Sequence, residues 1–106
     1  MPSMFSLASV QEISRELGQR LRKLRLQQAV AQKELAARAG LSVRALRNLE
    51  ANGQATLETF LRVTQALGRA TDLDPILEVK VQSIREMELA NRERHRAPRT
   101  RKEKSQ

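Results

Sequence analysis

The stretch Ala31–Asn52, AQKELAARAGLSVRALRNLEAN, leaves this chain few ways to fold. Its apolar residues keep helical spacing on both sides of Gly40, and glycine ends a helix in the left-handed conformation at low steric cost. Ser42 supplies a hydroxyl that accepts a backbone N–H at the start of the next helix. The spacing therefore predicts helices over about Gln32 to Ala39 and Val43 to Ala51, with Leu41 plugging the angle between them. On a wheel of about 100° per residue, Arg44, Arg47 and Asn48 share one arc while Ala45, Leu46 and Leu49 fill the opposite one. One side packs and the other meets polar groups. Arginine and asparagine carry donors and acceptors in fixed forks that match guanine and adenine edges in a DNA major groove, so this face is the candidate reader of DNA.

Flanking segments supply the rest of a core. Ser9 and Glu12 fit a capping box that opens a helix from about Val10 to Gln27, with Val10, Ile13, Leu17, Leu21 and Leu24 as its buried stripe. Arg15, Gln19, Arg20, Arg22 and Lys23 lie mostly outside that stripe, toward water or phosphates. Thr56 caps a helix over about Leu57 to Leu67, whose Leu57, Phe60, Leu61 and Leu67 complete the core before Gly68 ends it. Asp72, Asp74 and Pro75 suggest a further helix start, since proline suits the first helical position. Ile76, Leu77, Val79 and Val81 are too apolar to be left in water; they either close the base of the domain or meet a second subunit. Ser83 and Glu86 form another capping-box match, opening a helix from Ile84 to about Arg96. With only Ile84, Met87, Leu89 and Ala90 as apolar content, that helix needs a partner surface.

The expected organisation is thus an N-terminal arm over 1–8, apolar at Met4, Phe5 and Leu7, a helical domain over 9–81, and a C-terminal helix with a basic tail over 82–106. The run RERHRAPRTRKEKSQ has the low hydrophobicity and high charge of a disordered segment. A length of 106 residues allows one domain and a tail, and a core of leucine and alanine with 2% aromatic residues implies an all-α fold. Twenty Lys+Arg against 12 Asp+Glu give a net charge of +8, which favours a polyanionic partner over a merely solvated surface. With Phe5 and Phe60 as the only aromatic residues, base stacking on single-stranded RNA is disfavoured.

Zero cysteines argue against a disulfide framework or thiolate metal site, and His95 alone cannot build a zinc site. No nucleophile, base and acid constellation and no glycine-rich phosphate cradle can be assembled, so the chain is expected to be neither an enzyme nor a cofactor carrier. The absence of an 18-residue apolar stretch or a signal-like start points to a soluble, cytoplasmic protein without a membrane partner.

From Leu17 to Gly68 the sequence resembles the Cro and phage-repressor (Xre-type) helix-turn-helix family. The resemblance rests on Gln32, Glu34-Leu35-Ala36, Ala39-Gly40-Leu41-Ser42, inward Leu46 and Leu49, and Glu50. It implies a compact five-helix, lambda-repressor-like domain that dimerises and lays its third helix in the major groove of double-stranded DNA. Carried onto this chain, Val43, Arg44, Arg47 and Asn48 become base-edge candidates, while Gln32, Lys33 and Ser42 become phosphate contacts. Arg25 and Glu50 occupy the positions of an ion pair between helices 1 and 3 in that family. Two departures stand out. Ala31 replaces the usual hydroxyl cap, and Asn52 replaces the usual glycine after helix 3, with Gly53 following. The C-terminal part, from Ala55 onward, is similar to antitoxin-like regulators found beside HipA-type kinase toxins, which implies a toxin as a further partner. A single such motif covers few base pairs and a symmetric pair doubles the contacts, so a homodimer is expected, with Leu73, Ile76, Leu77 and Val79 as candidate interface. The rival reading is an interaction module that keeps the fold without reading sequence, supported by the apolar region from Ile76 to Leu89.

Overall fold

Helix α1 spans Val10–Gln27, α2 Gln32–Ala39, α3 Val43–Asn52 and α4 Leu57–Ala66; a 3-10 segment follows at Ala70–Leu73, and α5 runs Ile84–Arg96. This computed structural model describes residues 4–79 and 84–96. The chain divides into two compact units between Ile76 and Leu77. The first holds α1 to α4 and the 3-10 segment; the second holds α5.

Each helix of the first unit begins where a side chain can take the place of a missing carbonyl, with one exception. At α1 the Ser9 hydroxyl accepts the Glu12 N–H at 3.1 Å and the Glu12 carboxylate accepts the Ser9 N–H at 2.8 Å. The Ser9 backbone N–H, and after it the hydroxyl, holds the Glu12 carboxyl below the usual carboxylate range. Ser42 accepts the Ala45 N–H at 3.0 Å to open α3, and Thr56 accepts the Thr59 N–H at 3.1 Å to open α4. Ala31 offers α2 no side-chain cap. Gly40 ends α2 at φ 71°, and the Leu41 N–H then closes onto the Ala36 carbonyl at 2.8 Å. Helix α3 continues through Asn52, one residue past the expected end, because the left-handed position falls on Gly53 at φ 69°.

The core joins Leu21, Val30, Leu35, Ala36, Ala39, Leu46, Leu49, Val63 and Leu67, with Leu24, Leu41, Val43, Phe60 and Ala66 packed against it. Three expected core positions prove to be exposed. Leu57 is 72% and Leu61 40% accessible, because the buried face of α4 follows Phe60, Val63, Thr64 and Leu67, where 63 and 64 each lie three or four residues from 60 and from 67, and this leaves 57 and 61 to one side. Thr64 tolerates burial because its hydroxyl donates to the Phe60 carbonyl at 2.8 Å. Val10 lies on the first turn of α1, which projects beyond the core.

No helix starts at Pro75. The fifth helical element of the domain is the 3-10 segment before it, where Asp72, Asp74 and Ile76 donate to Arg69, Thr71 and Leu73 in successive three-residue steps. Pro75, having no N–H, falls between those donors and interrupts none of them. In the second unit α5 has its expected span, with Met87 and Leu89 exposed. Ser83 of the expected capping box, Val81 and the tail from Ala97 onward lie outside the described residues.

Candidate nucleic-acid interface

Two glycines decide how α3 is mounted. A Cβ on Gly18 of α1 would lie 2.0 Å from the Leu49 carbonyl oxygen, and one on Gly53 would lie 2.1 Å from that of Ser14. The backbones of α1 and α3 therefore touch directly, and no side chain larger than hydrogen fits between them. Leu46, Leu49 and Glu50 form the inward edge of α3.

Glu50, only 1% accessible, is held by three neighbours. Arg25 approaches its carboxylate with both forks, Nε at 2.7 Å and Nη2 at 2.9 Å, while Nη1 donates to the Val30 carbonyl at 2.8 Å. Gln32 donates to the same carboxylate at 3.0 Å, and Gln19 donates to the Glu50 backbone carbonyl at 3.2 Å. A buried carboxylate is tolerated only with this degree of saturation, and the bidentate pair fixes the angle of α3 to α1 more than it adds net stability.

The opposite edge of α3 presents Arg44, Arg47 and Asn48 to solvent. Val43, of the same expected set, is half-buried and packs on the core. Lys33 and Ser42 are exposed. Gln32 is half-buried, with one amide N–H engaged by Glu50 and a second in its inventory.

Charge pairing separates the basic residues into two groups. Arg20 pairs with Glu16, Arg38 with Glu34, Arg62 with Glu58 and Arg69 with Asp72, each within its own helix or turn, and Arg25 with Glu50 inside. Among the described residues of the first unit Arg15, Arg22, Lys23, Lys33, Arg44 and Arg47 make no ion pair. Arg22 and Arg47 line a shared cleft with Gln19, Gln32, Glu50 and Ala51. The sequence places Arg22 among the α1 residues that face water or phosphates but does not join it to Arg47. Its spacing of three from Arg25 and from Gln19 was the available signal that all three share one side of that helix.

The remaining expected sites lie elsewhere. Leu73 and Ile76 border an apolar groove with Leu17, Leu21, Leu24 and Phe60, away from the charged cleft. Leu77, 94% accessible and at φ 55°, and Val79 belong to the second unit. The arm folds back on α1: the Arg20 guanidinium lies 5.2 Å from the centre of the Phe5 ring and donates to Met4 Sδ at 3.4 Å. No helix among the described residues is long and apolar enough to cross a membrane. A family model described as helix-turn-helix matches residues 21–74, just over half of the chain. No curated protein matches the sequence.

Proposed function

Since the chain belongs to the Xre/Cro-type helix-turn-helix family, whose domain is a DNA-binding regulatory one, we propose that it is a sequence-specific transcriptional repressor that reads an operator through the outward edge of α3. The observation that carries the reading is the exposed set Arg44, Arg47 and Asn48, without ion pairs among the described residues, on a helix clamped to α1 by direct backbone contact. Arg44 suits guanine, Asn48 suits adenine, and the accessible part of Val43 suits a thymine methyl. Lys33, Ser42 and the second N–H of Gln32 serve the phosphate backbone, which sets register and supplies affinity but no base information.

A homodimer fits this reading, because two copies of α3 about one duplex turn apart would read a palindrome. Leu73 and Ile76 in the first unit, and Leu77 and Val79 in the second, are the candidate contacts between copies. Nothing in the site calls for catalysis, and a repressor of this kind works in the cytoplasm on the nucleoid. A second role as the antitoxin of a toxin–antitoxin operon is supported by the exposed apolar residues Leu77, Val79, Met87 and Leu89, which suit a protein partner. The same residues support the alternative of a toxin-binding scaffold that does not read sequence.

A gel shift of the full chain on DNA from upstream of its own reading frame tests the choice. The repressor reading expects binding that weakens steeply with salt, and a loss of about 1–3 kcal/mol with relaxed discrimination at one base pair per half-site for Arg44→Ala. Absence of binding at low salt overturns it in favour of the scaffold.

A further inference from the structure

Arg47 and Glu50 stand three positions apart on α3, a spacing at which a helix brings a cation and a carboxylate together. Four pairs elsewhere in the first unit use spacings of three or four, Arg20–Glu16, Arg38–Glu34, Arg62–Glu58 and Arg69–Asp72. On α3 the pair does not form, because Arg25 holds both Glu50 oxygens from the inside. Arg47 is left exposed at the rim of a cleft, and Arg22 of α1, equally exposed and without an ion pair among the described residues, lines it too. Gln19 and Gln32 also line this cleft, their amides already oriented by bonds to Glu50. The buried Arg25–Glu50 pair adds no net charge, so the two guanidinium charges stand uncompensated beside two amides whose places are fixed by Glu50.

Such a site suits an oxyanion, whose several oxygens can take N–H donors from more than one side chain. Guanidinium forks bind phosphate oxygens through paired N–H groups, and an amide N–H serves a further oxygen. We propose that Arg22 and Arg47, backed by Gln32 and Gln19, grip one backbone phosphate of duplex DNA. This makes Arg47 an anchor on the backbone instead of a reader of bases, and brings α1 into the interface. The inference rests on the DNA-binding reading above and divides its residues more finely: Arg44 and Asn48 read, while Arg22 and Arg47 set the height at which they do so.

The test uses the full chain and two probes, a duplex of random sequence and a duplex recovered by selection from a random library. Affinity is followed by fluorescence anisotropy between about 50 and 200 mM salt, where each neutralised phosphate contributes a slope of about 0.9 in log Kd against log salt. Arg22→Ala and Arg47→Ala each weaken both probes by the same factor, so the ratio between probes stays at its wild-type value. The double variant loses about 0.9 of slope per protomer, about a 3.5-fold smaller change of Kd over that range, because both side chains serve one phosphate. Arg22→Lys keeps the slope, and Arg44→Ala changes the ratio. The clamp is overturned if Arg22→Ala binds both probes as wild type does, if Arg47→Ala weakens the selected duplex alone, or if the double variant loses the slope of two phosphates. Wild-type protein that binds neither probe removes the DNA reading itself, whereas wild-type binding with unaffected variants removes only the clamp. Both side chains are exposed, so all variants should keep wild-type helicity by circular dichroism.

Discussion

The surface around α4 and the outer edge of α3 are similarly rich in arginine, yet they treat it in opposite ways. Arg62 and Arg69 each close on a carboxylate three or four residues away, so their charge is answered within one turn of chain. Arg44 and Arg47 have no such answer, since the only acid of α3 is turned inward to Arg25. A count of basic residues cannot tell these regions apart. What separates them is where the nearest carboxylate goes, and that is decided by the core.

The most forceful way to break the contrast is to remove the acid. Glu50→Ala leaves Arg25 buried without its partner and should cost about 3–5 kcal/mol in urea unfolding. Replacing both Arg25 and Glu50 by apolar residues of similar volume should recover most of that loss, since the pair itself is close to neutral. Full recovery of stability by the single change would mean that the ion pair does not hold the two helices. Gly18→Ala drives a methyl into the Leu49 carbonyl and should cost roughly 1–3 kcal/mol or more, with α3 displaced from α1. A wild-type melting temperature for that variant would contradict the backbone contact.

The contrast is sharpened by a change on the other surface. Arg62→Ala should alter stability by less than about 1 kcal/mol, because both members of its pair are exposed, and should leave DNA affinity unchanged. Arg44→Ala should do the reverse, sparing stability and lowering affinity. The smallest effect concerns Glu12, whose carboxyl sits below the usual range in the fold. Its contribution is complete above the carboxyl's ordinary value and fades as pH falls through the lowered one, and Glu12→Gln should remove that dependence from an acid titration followed by circular dichroism.

The parts of this fold that could be read from sequence are those fixed by neighbours along the chain. The starts of α1, α3 and α4 follow from Ser9, Ser42 and Thr56, and the turn after α2 follows from Gly40. Leu57 and Leu61 were misplaced because an apolar residue near a helix start fits two adjacent arcs of the wheel, and only contact with Leu35 and Leu46 across the core selects one. Val30 belongs to a loop without periodicity, so no pattern marked its burial. Pro75 suits the first position of a helix but says nothing about whether a helix follows, and the three-residue hydrogen-bond steps ahead of it give a turn instead.

At the site, the outward arc of Arg44, Arg47 and Asn48 was visible because it is a property of one helix. The cleft was not, since Arg22 and Arg47 come to line one cleft only after α1 and α3 have docked. Gly18 was equally silent, because a glycine inside a helix carries no sign of which backbone will come against it.

Two helices in contact through bare main chain, at Gly18 and Gly53, have no cushion of rotamers with which to slide or tilt. If α3 reads DNA as proposed, an operator whose groove width differs from the preferred one must yield itself, bending or widening to reach a rigid probe, so discrimination among operators should extend to base pairs that no side chain touches.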